Sequence, residues 1–266
     1  MKGVDVNITA YYSELAFLSH SITGHIQTAE MDNQPVNSLA LISARYSAQA
    51  VEILSMMSAA YLYLVCQALD LRALHEEFIL EEKEKCLKMF LQLFSSFYHC
   101  SQDAMQDAEK IWHSLEARWR QKNCMDLSDK CECVARESLS DIVSTVQVPQ
   151  EADMGLIWTL TQTWENKIAY EMMETYSSVR KSFFENQSTP KFLAGATSRM
   201  YYHIRSELQI PFHRGLIDHP TFCYPARDRA NGTIGGHIAK IYGSVRDGTI
   251  MTPLKEFLNN RGHPQA

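Results

Sequence analysis

VNSLALISARYSAQAVEILSMMSAAYLYLVCQALDLRALHEEFIL, residues 36–80, contains neither proline nor glycine. Those two residues are the usual helix breakers, one through its missing N–H and the other through its backbone freedom. Their absence predicts two consecutive long helices or one bent helix. Inside the stretch, Ile53 to Leu69 carries no charge, with Glu52 and Asp70 at its ends and Ser55, Ser58 and Gln67 along it. The polar interruptions argue against a membrane span and for a buried helix. A helix apolar on nearly every side needs neighbours all round, and Ser58, Ala59 and Ala60 permit close approach of another helix. The centre of a bundle or of an oligomer meets both needs.

Beyond this stretch, Glu76, Glu77 and the run EEKEK at 81–85 mark a solvated helix face, where mixed charges at helical spacing support one another. Met89, Phe90, Leu93 and Phe97, then Ile111, Leu115 and Trp119, carry a helical period into residues 86–200. A break is expected around Cys124 to Lys130. A further helix is expected over Ile157 to Phe184, closed by NQSTP at 186–190, because a proline disfavours helical backbone in its predecessor. Pro211, Pro220 and Pro225, with Gly215, Gly232, Gly235 and Gly236, make the following stretch a long irregular connection. A short helix over Thr233 to Val245 follows, capped by Thr233, then a turn at Asp247 and Gly248 and a last helix from about Pro253. The fold class is all-α, a long-helix bundle with an inserted second helical lobe. Residues 1–85 form the central helix-bundle segment, 86–200 the lobe, and 201–266 a C-terminal loop and helices returning to the bundle.

Composition agrees. At 45% hydrophobic and 21% charged, the 266 residues describe a soluble globular chain, and 11 glycines and 8 prolines are too few for the turns of an all-β fold. A formal charge of -6 gives nucleic acid or an anionic membrane no general attraction. The 7 cysteines are an odd number in helical surroundings, which reads as a reducing, cytoplasmic setting. MKGVDVNITAYYSELAF shows no secretory pattern, so the glycosylation-like triplets at Asn7, Asn186 and Asn231 carry no meaning.

Motifs that announce chemistry are few. IGGHIAK at 234–240 lacks the spacing of a phosphate-binding loop, and neither a GxSxG elbow nor an HExxH helix occurs. Cys124, Cys131, Cys133 and His113 include no paired CxxC, and the two thiols of CEC leave a helix on different sides, so no metal is expected. The informative residues lie in HIQTAEMDNQPVNSL, residues 25–39, just before the long helix. Glu30 and Asn33 are three apart, share a face if helical, and can converge on one ligand with Gln34 beside them. From spacing alone, capping of the helix by the same acidic and amide groups is the simpler account of them.

The stretch from Met1 to Leu74, together with RMYYHIRSEL at 199–208, GLIDHP at 215–220 and TIGGHIAKIYGSVRDGTI at 233–250, resembles the aromatic amino-acid ammonia-lyases, within them the phenylalanine ammonia-lyases of fungi. Residues 86–200 match only in helical character and are similar in position to the shielding domain inserted in eukaryotic members. The resemblance implies elimination of ammonia from phenylalanine to give trans-cinnamate, which would feed phenylpropanoid or benzoate-derived metabolism. It implies an electrophilic methylidene-imidazolone formed from Ala-Ser-Gly, no metal, a catalytic tyrosine that removes the β-proton, and a homotetramer whose active sites draw on several subunits. By position, Lys2 matches the family's substrate-pocket lysine, Glu30 the glutamate near the amine, Asn33 the amide at the prosthetic group and Gln34 a supporting amide. Lys2 with Glu30 resembles phenylalanine or tyrosine lyases more than histidine lyases. The chain departs from the family in having no Ala-Ser-Gly triplet; Ala194-Gly195-Ala196 is no substitute. Two functions are therefore expected of it: part of a phenylalanine ammonia-lyase that needs a complementing N-terminal half, or an inactive paralogue that partners a complete lyase.

Overall fold

The computed structural model describes residues 2–25, 35–146, 153–219 and 232–261. Within them the protein is all-α. Helix α1 spans Lys2–Leu18 and α2 Pro35–Phe94, 60 residues without a break. Of the two arrangements expected for residues 36–80, a single helix is the one formed. Proline suits its first position, where the missing N–H has no intrahelical partner to lose.

Then come α3, Ser101–Gln121, α4, Leu127–Thr145, and α5, Met154–Glu185, the last begun by Asp153, whose side chain accepts from the Gly155 amide at 2.8 Å. Helix α6, Gly195–Tyr202, widens into a π turn over His203–Glu207. Helix α7, Ile234–Arg246, begins at Thr233, whose hydroxyl accepts from the Gly236 amide at 3.0 Å. The turn after it passes through Gly248 at φ 79°, a left-handed value that glycine adopts without strain, and leads to α8, Thr252–Arg261. The cap and turn expected from sequence are the ones formed.

The chain divides into two compact units. The first joins Met1–Asp70 to Thr189–Ala266, and the second is Leu71–Ser188. This division is one of contacts, whereas the boundaries at 85 and 200 given above are of composition.

In the first unit, Ala59, Tyr63 and Cys66 of α2 meet Tyr201, Ile204, Ile210, Ile241 and Ile250 of the tail in one buried cluster. Gly195 lets α6 lie against α8: a Cβ there would stand 2.8 Å from the Phe257 ring. The face of α2 that carries Val51, Leu54 and Tyr61 stays more than half exposed. The expectation of neighbours on every side is thus not met within one chain, whose tail covers one face only. Over Leu39–Phe97 the chain is also apolar enough, by length and composition, to pass as a membrane span.

The second unit is a bundle of the C-terminal part of α2 with α3, α4 and α5. Thr161, Trp164, Ile168, Met172, Thr175, Val179 and Phe183 form one buried stripe on α5, at the spacing of a helix face. Trp164 is fully buried, meets Phe90 edge-on and donates to Ser138 Oγ at 2.9 Å, so its one polar atom is satisfied. Cys131 is buried and Cys133 is not, as their spacing on α4 requires.

Within EEKEK, taken above as a solvated face, Glu82 is fully buried. It projects to the inner side of α2 with Cys86 one turn on, while Lys85 is turned to Glu81 at 3.1 Å, Glu171 at 3.2 Å and the Thr175 hydroxyl at 3.0 Å. Burial pushes the Glu82 carboxyl up to about 8, and Thr175 and Lys85 only partly oppose it. The folded form therefore holds a proton that the unfolded chain releases near 4.5. Stability present below that value is lost as pH rises toward 8, at about 1.4 kcal/mol per pH unit. Glu82→Gln is expected to leave thermal stability unchanged near pH 4.5 and to raise it at pH 8. A melting temperature at pH 8 no higher than that of the parent would contradict this placement.

Candidate functional site

Of the four residues singled out in the sequence, only Lys2 belongs to the described part. It sits at the first position of α1 with its side chain exposed. Glu30, Asn33 and Gln34 lie outside the described residues, so their geometry relative to Lys2 is not part of this structure. In sequence, Gln34 directly precedes the proline that opens α2.

The polar geometry that the first unit does define is built around Asp70, at the far end of the uncharged run. Asp70 is fully buried. Its Oδ2 receives Arg205 Nη2 at 2.5 Å, and its Oδ1 accepts from the hydroxyls of Thr189, at 2.5 Å, and of Tyr201. Arg205 in turn donates to the carbonyls of Ile210, at 3.2 Å, and Pro211, at 2.8 Å. One turn earlier, Gln67 pairs with His213 like a strip of backbone, giving to its carbonyl at 2.9 Å and accepting from its amide at 3.0 Å. These bonds hold the segment after α6 against α2. Further along, His203 spans Glu207, at 2.5 Å, and the Ser244 hydroxyl, at 3.1 Å, joining the π turn to α7. Glu52 is gripped by Tyr242 and Arg246 of the same helix.

Burial keeps the rest of this interior neutral. It pushes Tyr63 and Tyr201 up to about 12 and the Cys66 thiol to about 11, and lowers His237 together with the charge of Lys240. A thiol held that high is not a nucleophile at neutral pH. Among the described residues the buried Tyr63 hydroxyl and His237 Nδ1 meet no hydrogen-bond partner, and the two rings stack at 6.3 Å. The arrangement is therefore a scaffold that fixes α2. Sequence reading used Asp70 only as the bracket of an apolar run; an acid closing seventeen uncharged residues was itself the signal that an arginine had to reach it. Among the described residues no group of three or more His, Cys, Asp or Glu could hold a metal ion.

Residues 1–93 match the family model of the aromatic amino acid lyases, and the chain is similar to proteins of that class. It is 36% identical over 261 residues to the phenylalanine ammonia-lyase lenB of Aspergillus lentulus, covering 96% of this chain and 36% of that protein. To the phenylalanine ammonia-lyase hkm12 of Aspergillus hancockii it is 34% identical, covering 96% of this chain and 37% of the relative. The crystal structure of phenylalanine ammonia-lyase from Rhodosporidium toruloides is similar in fold, with a TM-score of 0.82 and 30% identity over 95% of this chain and 38% of that one. The chain spans about a third of the length of the curated relatives it matches.

Asp70→Ala is expected to cost about 3–5 kcal/mol, because it leaves the Arg205 guanidinium, 9% exposed, buried and unpaired. Pairing it with Arg205→Met should return part of that loss. Urea unfolding of the three variants measures both, and a single-variant loss below about 1 kcal/mol would place the anchor of the first unit elsewhere.

Proposed function

We propose that this chain forms part of a phenylalanine ammonia-lyase, the elimination of ammonia from L-phenylalanine to trans-cinnamate, and that it supplies one wall of the substrate pocket. The observation that supports the reading is the similarity to fungal enzymes of that name, carried over nearly the whole chain. Lys2, Glu30, Asn33 and Gln34 are the residues assigned to the wall. A carboxylate at Glu30 favours the cationic amine and the ammonium that develops from it, and the amides of Asn33 and Gln34 steady negative charge opposite. Lys2 with Glu30 selects phenylalanine, with some tyrosine, over histidine. The product would enter phenylpropanoid or benzoate-derived secondary metabolism in the cytoplasm, a setting in keeping with Cys66, Cys86 and Cys131 as buried free thiols.

The family's methylidene-imidazolone supplies the electrophile for this chemistry. The residues of this chain do not fit it as a source, since Ala-Ser-Gly does not occur among them. An α-amino group is a poor leaving group and the β-proton is weakly acidic, so elimination needs an electrophile and a base that Glu30 alone does not replace. The 266-residue chain by itself is therefore expected to form no cinnamate, and activity is expected when a segment carrying Ala-Ser-Gly and the catalytic tyrosine is co-expressed. Absorbance of cinnamate follows both. Cinnamate from the lone chain, abolished by Glu30→Gln, would overturn this division of labour, and a complemented protein that stays inactive would favour a non-catalytic paralogue.

The homotetramer implied by the resemblance accounts for the open face of α2. Val51, Leu54 and Tyr61 present apolar surface beside a helix whose other face is already buried. The chain is expected to sediment as an oligomer, and Leu54→Lys to shift it toward smaller species. A stable monomer in the unsubstituted chain would remove the reason for this assignment.

A further inference from the structure

The second unit contains a cleft of about 740 Å³ that plays no part in the scheme above. That volume lies within the range of small-molecule sites. Its walls come from the middle of α2, the end of α3, the turn into α4, and α5. Leu74, Trp119, Met125, Leu127 and Tyr176 line it with apolar and aromatic surface. Arg72, Arg120, Lys130 and Arg180 also face it, against Asp126 as the one acid in the lining.

Lys130 decides what such a cleft accepts. Its side chain is more than nine-tenths buried, with the ammonium 3.9 Å from the centre of the Trp119 ring. Its polar partner is Asn123 Oδ1, at 3.3 Å, and among the described residues no carboxylate lies within ion-pair distance. An ammonium has three donors, and burying it without a counter-ion is costly. The other cations stand at the rim. Arg120 is engaged by Glu116 at 2.6 Å, Arg72 faces Glu76 at 3.8 Å, and Arg72 and Arg180 are exposed. Trp119 is backed by Phe78, with ring centres 4.6 Å apart, which fixes the aromatic wall.

We propose that this cleft is a binding site for a planar aromatic monocarboxylate, its carboxylate on Lys130 and its ring among Trp119, Tyr176 and the leucines. One deep ammonium matches one carboxylate. A phosphate, with more oxygens to satisfy, would find a single deep donor group and an apolar wall. An amino acid would bring an ammonium against Lys130 and the arginines, so the site discriminates an aromatic acid from its α-amino counterpart. The product of the elimination proposed above falls in this class and its substrate does not. Binding requires no turnover, and its test is independent of that reaction.

Calorimetric titration of the purified 266-residue chain with trans-cinnamate, benzoate, L-phenylalanine and inorganic phosphate tests the proposal. Saturable binding of the two aromatic acids is expected, weakened by salt, with phenylalanine and phosphate at least about tenfold weaker. Lys130→Met is expected to reduce cinnamate affinity by about tenfold or more, the loss of one charge-assisted contact. Should that variant fail to fold, judged by circular dichroism, Arg72→Gln with Arg180→Gln alters exposed rim residues only and should still weaken binding by a few-fold. Four outcomes overturn the proposal: no binding of either acid, phenylalanine bound as tightly as cinnamate, phosphate bound as tightly, or unchanged affinity in the folded variants.

Discussion

A carboxylate that cannot reach water must be met by a cation, and in this protein Asp70 imposes that requirement on everything around it. Its partners, Thr189, Tyr201 and Arg205, are separated from it by more than a hundred positions in the chain. A hydrophobic cluster alone would let the tail slide along α2, since dispersion and burial have no direction. The Asp70 network, with the paired bonds of Gln67 to His213, sets one register. The isoleucines of the tail then fall against Ala59, Tyr63 and Cys66. Burial supplies the free energy of this unit, and the polar contacts select which packing it drives.

The second unit is arranged on other terms. Its helices are neighbours in sequence, and aromatic rings fill the space between them. Phe78, Trp119 and Tyr176 make one set of ring contacts, and Phe90, Phe94 and Trp164 make another. Arg118 grips Asp141 through two nitrogens in a half-buried pair, while more exposed pairs such as Lys122 with Glu137 add little. The unexpected members are Glu82 and Lys130, ionisable side chains turned inward at places where an apolar residue would pack more cheaply.

Much of the helical layout was legible from residues 36–80 and from the caps, because proline, glycine and a threonine before IGG act locally. The single length of α2 was not, since nothing in a sequence without breakers distinguishes one helix from two end to end. Glu82 was misread for a related reason. In a charged run every residue has the same local signature, and which one faces inward depends on the phase of a helix whose partners lie on α4 and α5. The site proposed for Lys2, Glu30, Asn33 and Gln34 rests on resemblance alone. Lys2 is an exposed lysine at a helix start, and spacing alone left Glu30 and Asn33 between ligand binding and capping. The Asp70 network escaped because its partners are remote in sequence and come from elements with no motif of their own.

The first unit is assembled from two distant stretches of chain, with the second unit lying between them in sequence. During synthesis, residues 71–188 are complete before Tyr201 and Arg205 exist, so the intervening bundle can close while Asp70 still has no counter-ion. The exposed end of α2 must wait for the last quarter of the polypeptide, in contact with solvent or a chaperone, before its carboxylate is neutralised. An interruption of translation after the bundle would thus leave a folded second unit joined to an unfinished first. Aggregation of such fragments, rather than loss of helix, would mark their failure.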